Sequence, residues 1–211
     1  MSLTLLMPMK EEKKVAVFDL NGTLYNKSSK DEFFKFICTK KPTSAIKYVH
    51  MGTYIILKKL HLVGQTEFKE NFFRYLDGID PVQVSEYARE FWKKEFPSEF
   101  NPSLLVRVKE LKQQGIAVYI ITGALELYVE SLMEMYKDID GFAGTRTTYR
   151  DKKHLVIGEA CKGRVKLKML QELMNGEPFK IVEAYSDSEE PILDEAQKAF
   201  LIKDGMVTPY S

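Results

Sequence analysis

The stretch Val15-Ala-Val-Phe-Asp-Leu-Asn-Gly-Thr23 decides the architecture of this 211-residue chain. Four successive apolar residues, Val15 to Phe18, show no polar alternation, which is the pattern of a central parallel strand covered by helices on both faces. Asp19 follows where that strand ends, and Asn21-Gly22 turns the chain away. Open α/β sheets bind their ligands beyond the carboxyl ends of the strands, so Asp19 is a candidate site residue. The plainer alternative at this point is that Asp19 caps the turn.

Outward from this strand, two kinds of sequence alternate. From about residue 101, Asn101-Pro102 opens a helix as N-cap and first helical residue, Leu104, Val108 and Leu111 mark its buried face, and Gly115 closes it. Ile116 to Ile121 reads as a second bare apolar strand ending in Thr122-Gly123, followed by a helix over about Ala124 to Tyr136. A third strand falls near Gly141 to Thr145, and Thr147 to Gly158 reads as a β-hairpin turning at Asp151-Lys152-Lys153. Gly163 to Asn175 reads as helix, and Phe179 to Tyr185 as a strand ending in Ser186-Asp187-Ser188. Residues 26 to about 98 show helical patterns only: Asp31 to Thr39, Thr43 to Val63, Thr66 to Leu76 and Pro81 to Phe96. The expected fold is therefore α/β, a three-layer doubly wound parallel sheet, with core segments at 13–25 and 99–211 and an inserted all-helical cap at 26–98.

Composition narrows the function. Thirty-one basic and thirty acidic side chains nearly cancel, so no global field draws nucleic acid. Cys38 and Cys161 lie far apart without Cys or His neighbours, which predicts reduced, buried thiols and neither a zinc site nor a disulfide framework. His50, His61 and His154 have no metal-ligand spacing and read as surface or cap residues. The opening residues are too short for a signal segment, so a cytoplasmic location is expected. Between Ile46 and Val63, apolar residues interleave with Lys47, Lys58 and Lys59. Such a helix either packs within the cap or docks on a membrane surface, presenting lipid phosphates to the site; its charges are too closely spaced for a span.

Three predicted strand ends carry oxygen-bearing side chains: Asp19, Thr122 and Asp187. In a parallel sheet these ends share one edge. With a lysine from the next helix, Lys166 or Lys162, they form a set of two carboxylates, a hydroxyl and an ammonium. Carboxylates suit a hard cation such as Mg2+, while the hydroxyl and ammonium suit phosphoryl oxygens.

In this arrangement the chain resembles the haloacid dehalogenase-like hydrolase superfamily, in particular its phosphoserine phosphatase-like branch with a helical cap. Four motifs carry the resemblance in order: Phe-Asp19-Leu-Asn21-Gly-Thr-Leu, Ile-Ile-Thr122-Gly123-Ala, Cys-Lys-Gly-Arg-Val-Lys166 and Tyr-Ser-Asp187-Ser-Glu-Glu190-Pro. The resemblance implies that Asp19 attacks phosphorus and becomes a phosphoaspartate. It implies that Thr122, Gly123 and Lys166 hold the phosphoryl group of a small phosphorylated substrate. Asp187, Asp19 and the main-chain carbonyl of Asn21 are the implied Mg2+ ligands. The family's lysine stands three residues after a glycine, which fits Gly163 and favours Lys166 over Lys162.

Two positions depart from the family pattern. Its hydrolases have an aspartate two residues after the nucleophile as general acid and base, where this chain has Asn21, an amide that cannot exchange that proton. In the fourth motif Pro191 stands where a second aspartate is usual, leaving Glu190 or Glu189 to approach the metal, or both solvated at a helix start. Two functions therefore stand side by side. One is a Mg2+-dependent phosphomonoesterase slowed by Asn21; the other is a degenerate relative that binds a phosphorylated ligand or a partner.

Overall fold

A computed structural model of the chain describes residues 12–42 and 73–210. The expected helix Thr43 to Val63, most of Thr66 to Leu76, and His50 and His61 lie outside the described residues.

The first strand, β1 (Lys13–Phe18), runs through the middle of a six-stranded sheet. Ala16 and Phe18 face one buried layer and Val15 and Val17 the other, which is why none of the four is polar. Helix α1 (Ser29–Lys40), a 3-10 turn (Phe73–Leu76), α2 (Pro81–Glu95) and α3 (Pro102–Gln113) follow before β2 (Ala117–Leu125). Asn101 caps α3 as its sequence predicts: its side chain accepts the backbone N–H groups of Ser103 and Leu104. Beyond β2 come α4 (Glu126–Met133), β3 (Gly141–Thr145), the hairpin strands β4 (Thr147–Arg150) and β5 (Lys153–Val156), and α5 (Arg164–Met174). The chain then runs through β6 (Phe179–Ser186), α6 (Pro191–Asp194), β7 (Lys198–Lys203) and β8 (Met206–Tyr210).

The sheet order is β3-β2-β1-β6-β7-β8, parallel throughout except for β8, which returns antiparallel on β7. This is the expected doubly wound α/β fold. Stacked rings of Phe18, Tyr185 and Phe200 run across β1, β6 and β7 at centroid spacings of 4.4 and 4.7 Å. Among the described residues between β1 and β2, every regular element is helical. Their aromatic side chains, including Phe33, Phe91 and Trp92, join one apolar cluster with Tyr128 of α4 and the face of β1 that carries Phe18. No helix among the described residues is long and apolar enough to cross a membrane.

Three expectations need correction. The helix expected from Ala124 begins at Glu126, because β2 continues past a register shift after Ile121 and pairs again at Leu125 with Thr145. His154 is buried rather than superficial: its Nε2 meets the carbonyl oxygen of Ile79 at 2.8 Å and its ring lies against Tyr149. Of the two cysteines, both free, Cys161 is buried but Cys38 only half so. The elements α6, β7 and β8 had no reading in the sequence.

Candidate active site

At the carboxyl end of β1 the backbone leaves the sheet through Asp19, whose N–H still donates to the carbonyl of Tyr185 on β6. The Asp19 carboxylate is held at both oxygens. Oδ1 accepts the N–H of Leu20 at 2.6 Å, and Oδ2 accepts from Lys166 Nζ at 2.7 Å. Lys166 reaches it from the first turn of α5, and its ammonium also pairs with Glu190 Oε2. Burial opposes the charge on Lys166, but the Asp19 and Glu190 carboxylates outweigh it and hold the ammonium above the ordinary lysine range. Of the two lysines the sequence left in competition, Lys166 is therefore the one at Asp19.

Asp187 enters from the end of β6. The turn through Gly22 explains how it comes so close: Gly22 has φ +66, and a Cβ built there would stand 2.8 Å from Asp187 Oδ2. Asp187 keeps its outer face open to solvent, yet its carboxyl is held above the usual range. Crowding by protein is the larger cause, with the Asp19 charge adding to it and Lys166 opposing. Glu190 is buried, with Lys166 and Ser186 Oγ on its Oε2, whereas Glu189 is exposed. The reading that left both glutamates solvated does not hold for Glu190.

Asp19, Asn21, Gly123, Lys166, Asp187 and Glu190 all line one cavity of about 480 Å³. Thr122 is fully buried within β2, just past the last residue that pairs with β1, its Oγ1 accepting the N–H of Ala124, and Gly123 and Ala124 next to it form part of the cavity wall. Asn21 is tied outward. Its Oδ1 accepts the N–H of Ser29, the first residue of α1, at 2.7 Å, and Ser29 Oγ lies 3.0 Å from Tyr128 OH.

Sequence reasoning passed over Ser29 and Thr145. Thr145 Oγ1 donates to the carbonyl of Gly123 at 3.0 Å and accepts the N–H of Cys161 at 3.1 Å, which pins the Gly123 segment of β2 to the turn before α5. Its signal was present, since it is another hydroxyl at the end of an expected strand.

Around the buried Lys166 ammonium stand the carboxyls of Asp19, Glu190 and Asp187, a local surplus of negative charge that suits a hard divalent cation. Among the described residues no group of three or more His, Cys, Asp or Glu forms a ready-made metal cage. Such a cation would therefore draw on main-chain, substrate and water oxygens as well, as magnesium commonly does.

The sequence matches the family described as haloacid dehalogenase-like hydrolase over residues 16–190. No curated protein matches it. Among solved structures, a protein of unknown function from Bordetella pertussis Tohama I is similar with a TM-score of 0.75, at 16% identity over 90% of this chain and 89% of that one. A phosphoserine phosphohydrolase-like protein from Francisella tularensis subsp. tularensis SCHU S4 gives a TM-score of 0.58 at 17% identity, covering 90% and 86%. A structure described as a phospho-aspartyl intermediate analogue of phosphoserine phosphatase gives 0.58 at 17% identity, also covering 90% and 86%. At such identities these likenesses speak for the fold.

Proposed function

Because the chain belongs to the haloacid dehalogenase-like hydrolases, we propose that it is a Mg2+-dependent phosphomonoesterase whose nucleophile is Asp19, with residues 26–98 as a helical cap. The observation that carries this reading is the buried Lys166 ammonium 2.7 Å from Asp19 Oδ2, at the carboxyl end of a central parallel strand. The neighbour described as a phospho-aspartyl intermediate analogue supports the same chemistry.

An Asp19 oxygen attacks the phosphorus of a small phosphate ester in line, and the ester P–O bond breaks with its electrons leaving on the alcohol oxygen. Water then attacks the phosphorus of the aspartyl phosphate, which releases inorganic phosphate and restores the carboxylate. Lys166 orients Asp19 and offsets charge on the phosphoryl oxygens, which Thr122 and Gly123 help to bind. Asp19, Asp187 and the main-chain carbonyl of Asn21 would hold Mg2+. Glu190 completes the acidic set while steadying Lys166. A bound Mg2+ supplies charge neutralisation to the phosphoryl group.

Asn21 lines the cavity as an amide, so the alcohol oxygen leaves unprotonated and the attacking water finds no base there. Losing such a group costs about 10²- to 10⁴-fold in rate. Turnover is therefore greatest on esters of acidic alcohols. The same residue favours the second reading, a protein that binds a phosphorylated ligand or a protein partner without useful turnover.

Phosphate release from an aryl phosphate, with and without Mg2+, in the natural protein and in Asp19→Asn, decides between them. Release that needs both Asp19 and Mg2+ supports the esterase. Binding of the ester without release in either protein supports the second reading, and equal release by both removes Asp19 as nucleophile.

A further inference from the structure

Four lysines line the cavity: Lys27, Lys30, Lys162 and Lys166. Three of them meet carboxylates of the protein itself. Lys166 is held by Asp19 and Glu190, Lys27 by Glu95 and Glu99 at 3.2 and 2.9 Å, and Lys30 by Asp31 at 3.0 Å. Lys162 is exposed at the rim and has no carboxylate partner among the described residues.

The backbone that carries Lys162 is nevertheless fixed. Cys161 before it is fully buried and donates its N–H to Thr145 Oγ1, and the same hydroxyl donates to the carbonyl of Gly123. The carbonyl of Lys162 accepts the N–H of Val165 at 3.2 Å. One buried threonine thus sets the distance between the Lys162 turn and the Gly123 segment of β2 assigned to the phosphoryl group. Helix stability does not call for this cation, since positive charge ahead of a helix N-terminus is opposed by the helix dipole. The cavity's volume of about 480 Å³ is that of a small-molecule site and leaves room beyond one phosphoryl group.

We infer that Lys162 reads a second anionic group on the substrate, so that the preferred substrates are phosphate monoesters carrying a further anion, either a carboxylate or another phosphate. The inference rests on the phosphomonoesterase reading and deepens it. The phosphoryl group sits beside the Asp19–Lys166 pair, and the rest of the molecule extends along the wall toward Lys162, where its second charge meets the one cavity lysine that the protein leaves without a carboxylate among the described residues. The contact is at a wet rim, so it sharpens choice among substrates by a modest factor.

The test compares a plain aryl phosphate with the same ester bearing a ring carboxylate and with one bearing a second ring phosphate, using the natural protein and Lys162→Met. In the natural protein, kcat/KM for a charged ester exceeds that for the plain one by about fivefold, the scale of an exposed ion pair. This preference shrinks as salt is raised. In Lys162→Met the preference is lost through KM, whereas Lys162→Arg keeps it. Whichever charged ester shows the larger preference identifies carboxylate or phosphate as the second group. A preference unchanged in Lys162→Met overturns the inference, as does an equal loss on all three esters, which would mean general steering of phosphate. Calorimetric binding of the three esters to Asp19→Asn, with and without Lys162→Met, gives the same comparison without turnover. If the natural protein hydrolyses none of the esters but the binding preference tracks Lys162, the esterase reading fails while the recognition stands.

Discussion

Lys166 Nζ lies 2.7 Å from Asp19 Oδ2 across 147 residues of sequence; the lysine is almost wholly enclosed and the aspartate opens slightly to the cavity. This ion pair joins the first turn of α5 to the end of β1 and gives the cavity its one buried cation among the described residues. Substituting Lys166→Met leaves Asp19 and Glu190 facing each other without it. Phosphate release is expected to fall about 10²- to 10³-fold, the scale of removing one preorganised charge partner. A steady-state assay checks this, and activity within a few-fold of the natural protein would remove Lys166 from the chemistry.

Asn21→Asp is expected to be tolerated, because a carboxylate oxygen accepts the Ser29 N–H as the amide oxygen does, next to a helix N-terminus that favours negative charge. The rate on an alkyl phosphate should rise about 10²-fold or more, and on an aryl phosphate far less, since only the poorer leaving group needs the proton. Rates on a series of esters of graded alcohol acidity measure the change as a flatter dependence. An unchanged dependence would show that Asn21 does not stand at the departing oxygen.

Gly22 holds a left-handed backbone against Asp187. Gly22→Ala adds a methyl group where Asp187 Oδ2 already stands, and it adds a backbone conformation that costs an alanine about 1 kcal/mol. The variant is expected to fold with slightly lower stability and to need more Mg2+ for half-maximal activity, as Asp187 is pushed aside. Metal titration of activity beside a urea melt separates the two effects. An unchanged metal requirement would place Asp187 outside the cation site.

Burial holds the His154 ring below its ordinary pKa, although the Ile79 carbonyl and the charges of Asp77 and Asp80 pull the other way. The folded protein thus keeps this ring neutral where the unfolded chain takes up a proton, near pH 6.5. The stability contributed by the neutral ring is complete above that pH and is lost as the pH falls toward the lower folded value. Urea midpoints across about pH 7.5 to 5 should therefore decline less in His154→Gln than in the natural protein. Parallel declines would assign the acid sensitivity to other groups.

Hydrophobic pattern alone determined the layer architecture, because a strand covered on both faces has to be apolar at every position, and Val15 to Phe18 are. Asn101-Pro102 likewise determined the start of α3, since capping is a matter of neighbouring residues. The chemical types at the strand ends were legible for the same reason: Asp19, Thr122 and Asp187 stand where apolar runs stop. Tertiary structure decided what depends on distance across the fold. It set the ammonium of Lys166, the lysine already favoured by the motif's glycine, buried at Asp19, and left Lys162, ahead of α5, exposed at the rim. It separated Glu190 from Glu189, buried His154 of the hairpin against Ile79, and made Thr145 the tie between β2 and the turn before α5. Local sequence records how each segment meets its own backbone and layer, while partners more than a hundred residues apart are set only when the sheet brings its strand ends to one edge.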